Sequence, residues 1–202
     1  MSQPIVSYDE VIKYWFGHVE ETIVPTEHRA KIWFGEDDVV DQEIKTKFSG
    51  HLDAAQRGEL DEWAANPRGQ LGLIIVSDQF SRHVYRRSEN AFLLDERALK
   101  TCLEGMHVEA DHALSLIERV FYYFPLLHSE RIAHQEQSIR AYRTLADLAF
   151  SETRVIFDSF LKFANHHYSI IQRFGRFPQR NSVLHRESSK AEMAFLREIE
   201  ER

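Results

Sequence analysis

Arg68-Gly69-Gln70-Leu71-Gly72-Leu73-Ile74-Ile75-Val76-Ser77-Asp78-Gln79-Phe80-Ser81-Arg82-His83-Val84-Tyr85 is the stretch on which the fold turns. Its centre, 71–76, reads as a buried strand by content alone, a short apolar run with β-branched residues. Read as a helix, it puts Leu71, Ile74, Ile75, Asp78 and Arg82 along one face. The rest of the chain decides between the two. No second run of comparable strand character exists in the sequence, and a lone strand has no partner for its hydrogen-bond ladder. The stretch is therefore expected to be a central helix, buried on most sides, in an all-α protein.

Helical periodicity continues outward in both directions. Ser7-Tyr8-Asp9-Glu10 is a capping box with Val6 and Val11 as its staple, and it opens a helix to about Phe16. Tyr14-Trp15-Phe16-Gly17 and Ile32-Trp33-Phe34-Gly35 read as two helix ends closed by glycine. Their spacing of 18 residues is too short for a helix-pair repeat, which takes more than about 30. Val40, Ile44, Phe48, Leu52 and Ala55 predict a helix over 37–56, and a short one follows over 59–65. Downstream, Ser88 is expected to cap a helix over 89–104 that Gly105 ends. Ile117, Val120, Phe121 and Phe124 mark another, stopped near Pro125. Ser129 is expected to cap the helix of Ile132, Ile139, Tyr142 and Leu145, and Ser151 that of Phe160, Ala164, Ile171 and Phe174, closed by Gly175. Ser189-Lys190-Ala191-Glu192 is a capping box for the last. The expectation is about nine or ten helices packed as antiparallel pairs, in a single helical domain over residues 1–202.

Composition narrows the function classes. The chain has 202 residues, 43% hydrophobic and 28% charged, with a mean hydropathy of −0.43. It can bury about 70% of its unfolded surface, enough for a core without staples. One cysteine, Cys102, excludes an intrachain disulfide framework and a cysteine-based zinc site. A net charge of −7 argues against nucleic acid or an anionic membrane as partner. No apolar run approaches the roughly 20 residues of a bilayer span. MSQPIVSYDE lacks the basic and apolar regions of a signal peptide, so the cytoplasm is the expected location. There is no GxGxxG, P-loop, GxSxG, HExxH or CxxC, so neither cofactor nor metal is expected.

Three clusters and one further histidine carry chemistry. Asp78 on the apolar helix face is costly unless paired, and Arg82 stands one turn later. The pair is either a buried structural ion pair or part of a polar cavity. His128-Ser129-Glu130 follows an aromatic helix. Helix capping accounts for Ser129 and Glu130 but not for His128, and a Glu130–His134 metal pair is a weak alternative. His167 lies on the stripe of Phe160, Ala164, Ile171 and Phe174, so it should point into the core while His166 points away. It is either a satisfied core histidine or a general base or ligand. Densest is Arg173-Phe174-Gly175-Arg176-Phe177-Pro178-Gln179-Arg180-Asn181, followed by Arg186. Arginines interleaved with phenylalanines suit either an anion site, with Arg176 and Arg180 aimed at one point, or a structural corner pairing Asp78 or Glu130.

These clusters, in this order, resemble the domain of unknown function 924 family of small bacterial proteins. The likeness spans about residues 8–197. It rests on Tyr14-Trp15-Phe16, Trp33-Phe34, the string from Asp78 to Arg86, Phe124-Pro125-Leu126-Leu127-His128-Ser129-Glu130, and His167 leading into the 173–181 string. The resemblance implies a tetratricopeptide-like helical fold, which agrees with the helical reading of the central stretch. It assigns no catalytic residues. Asp78, Arg82, His128, Glu130, His167, Arg176, Arg180 and Asn181 match its pattern. Ser81, His83, Gln179 and His185 stand where Pro, Asn, His and Gly are usual. Those eight matching residues are the candidate ligand-binding set. Three readings follow: a scaffold binding an anionic group of a peptide or small molecule, an enzyme using His, Asp and Glu for acid–base chemistry on such a substrate, or a closed network that fixes helix register.

Overall fold

The computed structural model describes residues 5–17 and 27–201, so the first four residues of the segment read for a targeting signal lie outside it. The central stretch is helical throughout. α1 (Tyr8–Phe16), α2 (Glu27–Phe34) and α3 (Asp38–Gln56) precede it. α4 (Pro67–Ile74) is capped by Asn66, whose side chain accepts from Gly69 N at 2.9 Å, with Pro67 in the first turn where its missing N–H loses no bond. Ile75–Phe80 then winds as one π-helical turn, and α5 (Ser81–Val84) completes the rod. Every residue from Leu71 to Ser81 is buried, which is why the run is apolar on all sides and mimics a strand. Among the described residues there is no strand.

The other elements are α6 (Asp95–His107), α7 (Leu116–Tyr122), α8 (Phe124–His128), α9 (Ile132–Leu148), α10 (Arg154–Phe174) and α11 (Lys190–Glu200). Counting 67–84 as one rod and α7–α8 as one kinked rod gives nine helical rods among the described residues. α1, α3, α6 and α7 pack directly on the central rod. α9 and α10, joined by a short connection, form the most extensive helix pair. Trp15, Trp33, Phe80 and Phe121 meet at the heart of the main core, where Trp33 Nε1 donates to Trp15 O at 2.9 Å. The Trp-Phe motifs of the N-terminal third are therefore packing residues. α10 continues beyond this core into a small second one, built by Ile170, Ile171 and Phe177 against Phe195 of α11. Cys102 of α6 is fully buried in the main core, its sulfur 3.8 Å from Met106 Sδ.

Several helix boundaries differ from the sequence reading. Ser88 caps only a 3₁₀ turn, Glu89–Phe92, and α6 starts afresh at Asp95, where Asp95 and Glu96 suit the helix dipole. Gly105 lies inside α6, where Tyr122 and Gln70 leave no room for a side chain. Pro125 begins α8 rather than ending α7, for a first-turn proline needs no N–H partner. Ser129 accepts from Arg131 N at 3.2 Å, but Arg131 is the N-cap residue of α9. Ser151 lies in a turn ahead of Thr153, which holds the N-cap position of α10. Among the described residues no helix is long and apolar enough to cross a membrane.

Candidate functional site

The site grows out of the π turn. A widened turn disturbs the regular carbonyl ladder, and here side chains take up the exposed carbonyls. Ser81 Oγ donates to Ser77 O at 2.7 Å, and Arg82 Nη1 donates to Asp78 O at 2.7 Å. The turn leaves the Asp78 carboxylate 0% exposed and fully partnered. Its Oδ2 accepts from Gln79 Nε2 at 2.5 Å, its Oδ1 lies 2.7 Å from His128 Nδ1, and Arg82 Nη1 is 3.3 Å away. Asp78 thus has the cationic partner its place on the apolar face demands, and a second partner at the end of α8.

His128 is held by that contact. A carboxylate only accepts, so Nδ1 carries the proton and donates it to Asp78, and Nε2 keeps its lone pair. Nε2 makes no hydrogen bond to any described residue, while the ring is 14% exposed and lines two adjoining clefts. Burial, followed by the Arg82 charge, pushes the imidazole down to about 4 despite Asp78. On the carboxylate, burial acts upward, but Arg82 and then His128 prevail and hold it at about 2. The pair is an ionised aspartate and a neutral histidine.

Arg180 closes the arrangement from the C-terminal segment. Its Nη2 donates to His128 O at 2.8 Å, and Nη1 reaches Asp95 Oδ2 at 3.4 Å. The guanidinium sits between the rings of Phe92 and Phe177, 4.7 and 4.8 Å from their centroids. Burial and the neighbouring Arg82 lower its pKa to about 10. Asp95 also receives Arg82 Nη2 at 3.0 Å, so one carboxylate bridges both arginines.

The larger cleft, about 390 Å³, is lined by Arg82, Arg180, His128, His166, His167, Gln179 and an apolar wall of Phe92, Phe163, Ile170 and Phe177. No carboxylate is among the described residues lining it. The smaller cleft, about 250 Å³, carries Asp95, Glu96, Glu130 and Arg131 beside His128 and Arg180.

The eight expected residues divide. Asp78, Arg82, His128 and Arg180 form one connected network, and His167 lines the same cleft. His167 does not point into the core as its stripe implied. It is half-buried at the cleft wall beside Phe163 and Phe177, because α10 has left the main core by that point. Its Nδ1 donates to Phe163 O at 3.0 Å, and burial lowers its pKa to about 4. Glu130 lines only the smaller cleft, gripped by Arg186 at 2.7 and 3.0 Å and accepting from Phe177 N at 2.8 Å. His134 lies against Ser129 Oγ at 2.9 Å, so Glu130 and His134 each have another partner. Among the described residues no group of three or more His, Cys, Asp or Glu side chains is placed to hold a metal ion.

Arg176 and Asn181 stand apart from the network. Arg176 turns to Glu192 of α11, at 2.7 and 3.0 Å, and does not share a focus with Arg180. Asn181 is buried and donates to Ser188 Oγ at 3.0 Å. Arg173 likewise makes its contact elsewhere, stacking over Phe174. The site also takes in Asp95, Phe92 and Gln179, none of them in the expected set. The signal for Asp95 was present: Asp95-Glu96 is an acidic first turn, legible as a helix start had the preceding turn been recognised as separate.

The whole chain has relatives. Residues 11–200 match the family described as bacterial protein of unknown function, DUF924. A solved structure of a protein of unknown function, ATU0120 from Agrobacterium tumefaciens, is similar with a TM-score of 0.77 and 30% identity, over 95% of this chain and 97% of that one. No curated protein matches.

Proposed function

Because this chain belongs to the DUF924 family, whose function is not established, we propose its role from the cleft: it binds the anionic group of a small molecule. The observation that carries this is the lining of the larger cleft, where two arginines and three histidines face the opening while the carboxylates that partner them, Asp78 and Asp95, stay out of it. Arg180 is the principal anchor. It is buried between two aromatic rings, its one carboxylate contact is long and shared with Arg82, and burial outweighs that contact. A guanidinium so placed gains from an incoming anion. The volume of about 390 Å³ suits a small molecule better than an extended peptide. A lone cysteine in 202 residues fits a reducing, cytoplasmic setting.

Thermal melting with inorganic phosphate tests the reading. At one hundred times its dissociation constant, phosphate should stabilise the protein by about 2.7 kcal/mol. Arg180→Gln should fold and lose that shift. A parent protein indifferent to phosphate, or a variant that keeps the full shift, would overturn the assignment.

A further inference from the structure

Two histidines of the cleft share an unusual state. Asp78 holds Nδ1–H of His128 and the Phe163 carbonyl holds Nδ1–H of His167, so each ring presents an unprotonated Nε2. Neither Nε2 bonds to a described residue, and both rings line the cleft that Arg82 and Arg180 enter. The site therefore offers donors that cannot accept and acceptors that cannot donate. A carboxylate satisfies only the guanidinium groups and strands both imidazoles. A phosphate monoester serves both kinds: its free oxygens accept from arginine, and its monoanion, with a second pKa of about 6, carries one P–OH for the Nε2 of His167 and leaves that of His128 to a water.

We infer that the anion is a phosphate monoester and that His128, oriented by Asp78, is the general base that hydrolyses it. This rests on the anion-binding reading above. Water bonded to His128 Nε2 gives its proton to that nitrogen as its oxygen bonds to phosphorus. The P–O ester bond opposite the water breaks, its electron pair goes to the leaving oxygen, that oxygen takes a proton from solvent, and His128 releases its own proton to solvent. The products are inorganic phosphate and an alcohol. Asp78 remains ionised throughout and balances the transient imidazolium, as the orienting carboxylate of a base must. Arg180 steadies the phosphoryl oxygens, which is most of what such a reaction asks of a protein. Phe92, Phe163 and Phe177 offer an apolar wall to the organic portion.

The electrostatics fit a base that is silent until substrate arrives. Without ligand, burial, Arg82 and Arg180 hold His128 neutral against Asp78, with Asp95, Glu96, Glu130, Arg131, His166 and His167 as the other titratable groups lining its two clefts. A bound phosphate offsets the arginines and raises the proton affinity of His128 in the complex, toward the range where a base is effective.

Oxygen exchange needs no knowledge of the natural alcohol. Inorganic phosphate labelled with ¹⁸O is incubated with the protein in ordinary water, and label loss is followed by phosphorus NMR, with p-nitrophenyl phosphate hydrolysis in parallel. The parent should exchange label above buffer. His128→Gln should lose at least about 100-fold, the scale of a general base, while keeping the phosphate melting shift. A phosphate shift without exchange in the parent overturns the base and leaves the binding reading intact. No shift at all overturns both. Equal exchange by parent and variant overturns the role of His128. Should the variant prove unfolded by circular dichroism, the parent's pH profile decides. Exchange must fall toward acid with the midpoint of the His128 imidazole titrated by NMR with phosphate bound, and a profile lacking that midpoint overturns the inference.

Discussion

At the scale of the residue, Asp78 and His128 make folding sensitive to mild acid. His128 has a folded pKa of about 4, against an ordinary value near 6.5. Between those values the unfolded chain binds a proton that the folded chain refuses, so stability rises with pH through that window and is lost as pH falls from 6.5 toward 4. Asp78, held at about 2, adds a loss of the same sign only below about 4. The full span for His128 amounts to up to about 3 kcal/mol. Denaturant melts of the parent and His128→Gln at pH 7 and pH 4.5 should therefore converge, the parent losing more; parallel profiles would contradict it. Half of this pair was legible beforehand. Asp78 and Arg82 are four residues apart on one helix, and that spacing alone brings them together. His128 could only be nominated, as the one residue of its cluster that capping left unexplained. Its partner is 50 positions away, and helical periodicity carries no information over that distance. Arg176 failed for a related reason: it lies past the end of α10, where no period sets a side chain's direction.

At the scale of the element, glycine separates local propensity from packing. Gly105 is interior to α6, where propensity alone predicts that alanine would stabilise by about 1 kcal/mol. Packing predicts the reverse. A Cβ there would overlap the Tyr122 hydroxyl and stand 2.5 Å from Gln70 Oε1. Tyr122 is fully buried and donates to Gln70 at 2.6 Å, so neither can step aside freely. Overpacking costs about 1–3 kcal/mol, so Gly105→Ala should lower the melting temperature. A raised melting temperature would mean that Tyr122 relaxes. The same conflict explains which elements could be read. α1, α3 and α11 have amphipathic stripes and side-chain caps, and their reading needed nothing else. α6 could not be placed, because a glycine kept for a tertiary contact looks like a glycine kept for a helix end. The π turn left no sequence signal, since its widening is paid for by bonds from Ser81 and Arg82 that exist only once it has formed.

At the scale of the whole molecule, Glu130 ties the C-terminal segment to the body. It grips Arg186 with two bonds and accepts from Phe177 N, and that segment carries Arg180 into the cleft. Charge-assisted bonds contribute about 1.5–3 kcal/mol each before solvent screening, and this site is partly exposed. Glu130→Gln should cost the segment about 1.4 kcal/mol, a tenfold faster amide exchange over residues 177–186, with α4 and α6 unaffected. Exchange unchanged there would show that the second core alone holds the segment. The 173–186 string could be read from sequence as anion site or as structural corner. It is partly the latter, since Arg176 and Arg186 are tied to Glu192 and Glu130, and Arg180 alone of its arginines enters the larger cleft. That division, with a second small core under the segment, gives the lone thiol a use. Cys102 belongs to the main core, 0% exposed, and an alkylating reagent reaches its sulfur only when that core opens. Peeling of the C-terminal segment leaves it shielded. The natural chain thus contains a chemical clock for global opening, read by mass spectrometry with no engineered label, against which any looser motion around the cleft can be timed.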